Sequence, residues 1–387
     1  MRKTSLTIAT ALVLAIGGAL TACTGDSDTT AAQEHDGSGS WLDQVLPRLT
    51  ASLPPSTPGQ PQQPDTSPGA GATTQPPGPP PPPATPADAT RAKLRAIDLC
   101  AMHNPPAATT IVKGEVADSL LPSDDFNDCT LNLHRADKLV PDYTMAIGVD
   151  AVDQDTIQQG QPLQIAGLNF YSRQQTGTND EHETSPCVVY LPQSDGYALY
   201  LQVEPPIDPV DGAMHVCDVA VAYLKATAER WRTPPTRAEH RTDPALDLAA
   251  ADPCAATGIL TALGGGRVAH ADLHQCLYAS PRQSTDGTGA GAPLKMVDVR
   301  YELDSPDTLT GDDDATYKQA AIAGMPVAQH DSHSATQGCL TLFRIGSVSV
   351  TIDENSSEPP WVQIVEVTAP TCALSSQAAA AVISTVR

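Results

Sequence analysis

The chain has 387 residues, enough for two folded domains with tails. It carries 45 Asp and Glu against 22 Lys and Arg, a formal charge of −23 at pH 7, so its surface repels phosphate and excludes nucleic acid as a partner. Aromatic residues make up 4% of the chain, so its cores are expected to be aliphatic, thin and in need of cross-links.

From the N-terminus, Arg2 and Lys3 form a positive patch ahead of an uncharged apolar run, Leu6 to Leu20. That run is too short and wrongly flanked for a spanning helix and reads as a cleavable export signal over residues 1–22. Its end, Leu20-Thr21-Ala22-Cys23, resembles a bacterial lipobox and turns polar at once in Thr24-Gly25-Asp26. The resemblance implies that the Cys23 thiol receives a diacylglyceryl group and that cleavage falls just before it. Each buried methylene contributes about 0.8 kcal/mol, so two or three acyl chains would hold the protein on the outer face of the cell membrane.

Residues 23–87 read as a disordered Pro-rich tether. Pro54 to Pro86 contains 14 prolines, including the run Pro79 to Pro83. Proline fixes φ and has no N–H, so the stretch favours polyproline II at about 3.1 Å per residue and spans on the order of 100 Å at most. It serves either as a recognition ligand or as a stalk through a wall layer, and the stalk is the expectation. Trp41, Leu42, Val45, Leu46 and Leu49 fall at helical spacing, which suits a short helix on the membrane or on a folded domain.

Folded character begins near Ala87, with a first module over 88–233. Asp88 to Ala101 reads as a helix stopped by His103-Asn104-Pro105-Pro106. Strand-like runs, several of them alternating, follow at Cys129 to His134, Tyr143 to Val149, Leu163 to Gly167, Cys187 to Leu191 and Tyr197 to Val203. His215 to Trp231 reads as a helix with Ala220, Leu224, Ala228 and Trp231 on one face, and a polar linker occupies 234–243.

Over 244–387 the same order returns. Asp252-Pro253-Cys254 opens a helix-like stretch to Leu263, closed by Gly264-Gly265-Gly266. Strands are expected around Cys276, over Met296 to Leu303, from Cys339 and over Val348 to Ile352, and Cys372 opens a last helix. Ile322-Ala323-Gly324-Met325 echoes Ile165-Ala166-Gly167-Leu168. With Cys23 set aside, eight cysteines remain, spaced by 29, 58 and 30 residues in the first pass and by 22, 63 and 33 in the second. An even number in an exported chain reads as a disulfide set, and the absence of C-x-x-C argues against a redox motif or a zinc ribbon. The expectation is an internal duplication.

Each pass resembles the four-cysteine domain of unknown function found in secreted actinobacterial lipoproteins, itself distantly similar to the extracytoplasmic sensor domain of an actinobacterial receptor Ser/Thr kinase. In that family a D-P-C starts a helix, matched by Asp252-Pro253-Cys254 and altered to Asp98-Leu99-Cys100 in the first pass. The family's aromatic two residues after the second cysteine is met by Tyr278 and replaced by Leu131. The resemblance implies an α+β fold, two tandem modules each with an antiparallel sheet packed by N- and C-terminal helices and two disulfides. Four cysteines allow three connectivities, among which sequence alone does not choose. Sequential pairing is favoured: Cys100–Cys129 and Cys187–Cys217, then Cys254–Cys276 and Cys339–Cys372, with no bridge across the linker if the modules are independent.

Catalytic motifs are missing: there is no G-x-S-x-G elbow and no phosphate-cradling glycine loop. His270 with His274, and His330 with His333, lie close in sequence but lack further ligands at zinc spacing, and read as solvated loop histidines. Asp304, Asp307 and Asp312-Asp313-Asp314 lack the EF-hand order and read as an acidic loop. Asp180-Glu181-His182-Glu183 falls where His330 to His333 does in the second pass, a variable loop suited to specificity. No catalytic residue, metal or cofactor is expected. The expected function is that of a non-catalytic, membrane-anchored envelope lipoprotein that binds or senses an envelope lipid or glycan. The alternative is a protein-interaction or accessory subunit of an envelope enzyme or kinase.

Overall fold

A computed structural model describes residues 85–113, 115–135, 143–174, 185–206, 214–240, 245–281, 295–310, 317–331, 338–351 and 359–386. The lipobox with Cys23, residues 24–84 of the tether, including the Trp41 to Leu49 segment, Asp180 to Glu183, Asp312 to Asp314 and His333 lie outside the described residues. Residues 85–87, expected as the end of the tether, begin the first helix instead. No helix among the described residues is long and apolar enough to cross a membrane.

The fold is α+β, with two seven-stranded antiparallel sheets. The first comprises β1 (Glu115–Pro122), β2 (Asp128–Arg135), β3 (Tyr143–Ala151), β4 (Gln161–Ile165), β5 (Leu168–Gln174), β6 (Cys187–Pro192) and β7 (Tyr197–Glu204), in the order β1-β2-β3-β7-β6-β5-β4. The second comprises β8 (Arg267–His270), β9 (Gln275–Ala279), β10 (Met296–Asp304), β11 (Tyr317–Ile322), β12 (Met325–Asp331), β13 (Cys339–Val350) and β14 (Trp361–Ala369), in the order β8-β9-β10-β14-β13-β12-β11. The strand order is the same in both. Strand alternation puts Cys129, Leu131 and Leu133 inward on β2, and Val297, Val299, Tyr301 and Leu303 inward on β10.

The helical expectations needed several corrections. Thr85 caps α1 (Pro86–Arg95) through a capping box with Asp88, whose carboxylate accepts from the Thr85 N–H at 2.7 Å. The helix does not continue to Ala101. Asp98 adopts an extended backbone and its side chain accepts from Ala101 N at 3.0 Å, starting α2 (Leu99–Met102). A helix does stop at His103, the C-cap of α2, but Pro105 and Pro106 also begin α3 (Pro105–Ile111), because first-turn N–H groups have no acceptor within the helix and proline forfeits none.

A short α4 (Gln154–Gln158) follows β3. The helix expected over His215 to Trp231 is divided at Thr227 into α5 (Val216–Ala226) and α6 (Ala228–Arg232). Thr227 Oγ1 donates to Tyr223 O and accepts from Trp231 Nε1, so the break is satisfied internally and Trp231 still enters the core. Next comes α7 (Asp247–Ala250), and then, in place of one helix from Asp252 to Leu263, a 3-10 turn (Pro253–Ala255) and α8 (Gly258–Ala262). The short α9 (Asp307–Thr310) and α10 (Cys372–Val386) complete the set.

Cys100 is bonded to Cys129, Cys187 to Cys217, Cys254 to Cys276 and Cys339 to Cys372. The few aromatic side chains are concentrated in the two cores: Trp231, Tyr223 and Phe170 under the first sheet, Tyr278, Tyr301 and Phe343 under the second. Both Ile-Ala-Gly landmarks are two-residue hairpin turns, with Ile165 paired to Leu168 and Ile322 to Met325. Their central residues all have positive φ: Ala166 53°, Gly167 84°, Ala323 49° and Gly324 78°. This is the type I′ geometry that matches strand twist, and it requires a residue without a Cβ penalty at the second position.

The two cores exchange one side chain each. Phe126, in the β1–β2 loop, is buried in the core of the second sheet, and Leu273, in the β8–β9 loop, is buried in the core of the first. Each stands three residues before the cysteine of the following strand, Cys129 or Cys276. Between them, Asn127 Nδ2 donates to Asp272 Oδ2 at 2.8 Å, and Leu303 N donates to Asp124 O. The two halves are therefore not independent in packing.

Candidate binding cavity

A cavity of about 490 Å³ lies where the first sheet, the connecting segment and the second sheet meet. Several segments build its walls. The end of β1 contributes Leu120, Leu121 and Pro122, the N-terminus of α2 contributes Asp98 and Leu99, and the exchanged Phe126 closes one side. The connecting segment adds Arg237, Leu246, Asp247 and Ala250, and β13 with its end adds Ser349, Val350 and Thr351. The lining is chiefly aliphatic, with Asp98, Asp128, Asp247 and Arg237 as its charged groups.

Arg237 is tied in by backbone and side chain. Its N–H donates to Ala96 O at 2.8 Å and its Nε to Arg95 O at 3.2 Å, beside the Ile97–Thr236 bridge. Burial lowers its pKa, and the Asp98 carboxylate opposes that shift. Asp128 accepts from the Tyr200 hydroxyl at 3.3 Å, and burial, with Asp125 nearby, pushes its pKa up to about 6. It also lines a second, polar hollow with Asp125, Asn127, Asp150 and Asp272. Burial raises Asp150 and Asp272 as well, each further raised by neighbouring carboxylates.

The corresponding place in the second half is occupied. Asp252 stands two residues before Cys254 as Asp98 stands before Cys100, and His270 faces Cys276 across β8–β9 as Pro122 faces Cys129 across β1–β2. There α1 brings in Arg95, whose Nη2 lies 3.3 Å from Asp252 and whose Nη1 donates to Leu273 O at 3.3 Å. His270 Nε2 lies 3.8 Å from both Asp88 and Asp252. Asp252, Cys254 and His270 come close enough to suggest a metal, but the Cys254 sulfur is bonded to Cys276 and offers no thiolate.

The described histidines expected as solvated loop residues lie elsewhere. His274 is not solvated but buried between the halves: Nε2 lies 2.9 Å from Ala249 O and Nδ1 lies 3.0 Å from Asn127 Oδ1. Burial lowers its pKa to about 4, and His270 is lowered to about 4 for the same reason. His330 is a strand residue of β12 with its ring 5.2 Å from Tyr317, not a loop residue. Asp304 ends β10 and Asp307 starts α9, so these two do not converge on a site. The cavity residues had no signal beyond Asp98 and the apolar strand ends, because the connecting segment reads as a polar linker.

No protein-family model matches the chain, and no curated protein matches it. Among solved structures, the chain is similar to the di-domain aromatase/cyclase BexL of the BE-7585A biosynthetic pathway, at 10% identity and a TM-score of 0.14, covering 72% of this chain and 81% of that one. A similarity of that size carries no argument about fold or function.

Proposed function

We propose that the protein is a lipid-anchored lipoprotein of the cell envelope, held by Cys23 and lifted on the Pro-rich tether, whose folded part binds an envelope lipid or glycan without catalysis. Residues 88–233 and 244–387 are two copies of one duplicated module, each a sheet with its helices and two disulfides. The shared strand order, the paired Ile-Ala-Gly hairpins and the matched cysteines support the duplication. The observation that carries the binding reading is the mainly aliphatic cavity between the halves with a few converging polar groups, the usual make-up of a small-molecule site.

Two experiments test it. Native protein extracted from membranes should release a stoichiometric lipid or glycan detected by mass spectrometry, and a preparation free of any such molecule would remove the binding reading. Labelling with a clickable fatty acid should mark the wild type and not Cys23→Ser. Label persisting on the variant would remove the anchor.

A further inference from the structure

We infer that the cavity beside Asp98 takes a single-chain amphiphile whose head group donates hydrogen bonds and carries no negative charge. The inference rests on the ligand-binding reading above and narrows it to one chemical class.

Three observations lead there. The first is the comparison between the halves. Around Asp252, the ten-residue α1 fills the space with Arg95, while Asp88, Arg91 and His270 stand close by. Around Asp98, the corresponding cover is α7, four residues long, and a cavity of about 490 Å³ is left. Among the described residues, one of two related positions is thus plugged by the chain itself and the other is left open.

The second is size and polarity. The volume falls in the roughly 300–1,000 Å³ range of small-molecule sites. Leu99, Leu120, Leu121, Leu246 and Val350 give it apolar walls that suit one hydrocarbon chain and leave no room for the two chains of a phospholipid.

The third is charge. The lining holds three carboxylates, Asp98, Asp128 and Asp247, against the single guanidinium of Arg237. Arg237 donates through Nε to the Arg95 carbonyl, and the Asp98 carboxylate lies in its electrostatic field. A carboxylate or phosphate head would meet a lining in which carboxylates outnumber the one guanidinium by three to one, whereas a hydroxyl head can donate to Asp128 or Asp247.

The test uses the mature chain, residues 23–387 with Cys23→Ser, secreted and purified without detergent. Monomyristin and myristate share one chain and differ only in the head, so equilibrium dialysis of each at pH 8 isolates the head group. Monomyristin is expected to bind one to one and at least about tenfold tighter than myristate, and phosphatidylcholine vesicles are expected not to compete. Asp247→Asn removes one negative charge from the lining and should narrow the gap by tightening myristate severalfold relative to monomyristin. Ala250→Trp should fill the cavity and abolish binding. Should that variant lose its thermal transition, Ala238→Trp, at an exposed position on the same wall, takes its place. Myristate binding as tightly as monomyristin, or monomyristin binding undisturbed by the tryptophan, overturns the inference and leaves the ligand-binding reading standing. Failure of both amphiphiles to bind overturns the inference as well, and the reading itself then stands or falls on whether a glycan or other small molecule is released from the native protein.

Discussion

Phe126 is encoded in the first half of the chain and buried in the core of the second, so truncating it should damage the half that does not contain it. The side chain is 2% exposed and its ring meets His274 edge-on at 5.4 Å. Phe→Ala at such a site costs about 3–5 kcal/mol, the lost transfer energy plus the cavity left behind. Phe126 also sits at φ 60°, a left-handed conformation that disfavours bulky residues, so relief of strain returns a small part of that. The loop holds this conformation through Ser123, whose Oγ donates to Asp125 Oδ1 and accepts from Asp128 N. We expect Phe126→Ala to lower the melting temperature by on the order of 10 °C. Hydrogen exchange should locate the damage, with protection lost in β9, β10 and β14. Leu273→Ala should produce the mirror image, with protection lost in β2 and β3. If Phe126→Ala opens only residues 115–151 and leaves 295–304 and 361–369 protected, the exchange of core residues does not couple the halves and the reasoning fails.

Replacing Ala166 and Ala323 with Asn, which tolerates positive φ in type I′ turns, should raise stability by a few tenths to 1 kcal/mol each in denaturant titration, and a loss at both sites would contradict the turn assignment. Stability should rise as the pH falls from 8 to about 6.5, because burial raises Asp128 and Asp298 to about 6 and Glu302 to about 7. Such groups bind their proton more tightly when folded, so their contribution is full below about pH 4 and is lost as the pH rises through 6–7. His103, His270 and His274, lowered to about 4 by burial, act oppositely: their contribution is full above about 6.5 and is lost as the pH falls through 4. Melting curves should therefore peak near pH 6, and Glu302→Gln should flatten the alkaline side. A monotonic fall from pH 8 to 6 would refute this. Reduction of the four disulfides, which close loops with separations of 22 to 33 residues, should remove roughly 3–4 kcal/mol per bridge in the chain-entropy view. A melting temperature unmoved by reductant would contradict that.

Several features were legible in the residues because each rests on local chemistry. Strand alternation around Cys129 and over Met296 to Leu303 survives in the sheets, since a period of two needs no knowledge of the partner strand. Both Ile-Ala-Gly landmarks stood out as a repeat, and their meaning as I′ turns follows from positive φ. Helix ends were less legible. Asp98 and Thr227 break apparent helices by hydrogen bonds whose cost and gain depend on what their neighbours bury, and Pro105-Pro106 is a stop or a start according to which side the chain turns.

The binding cavity and the exchange of Phe126 and Leu273 belong wholly to the tertiary structure. Nothing in the local pattern of Ser123 to Asn127 or Ala271 to His274 distinguishes a side chain destined for its own sheet from one destined for the other. His274 illustrates the limit: a histidine among polar residues reads as solvated until a second loop supplies Asn127 and a carbonyl to its ring nitrogens. Composition determined the excess of acidic over basic residues and the small stock of aromatic side chains, because those depend only on how many residues of each kind are present. Which wall faces which, and where the two halves leave room between them, was decided by long-range packing, because burial is a property of pairs of segments far apart in the chain.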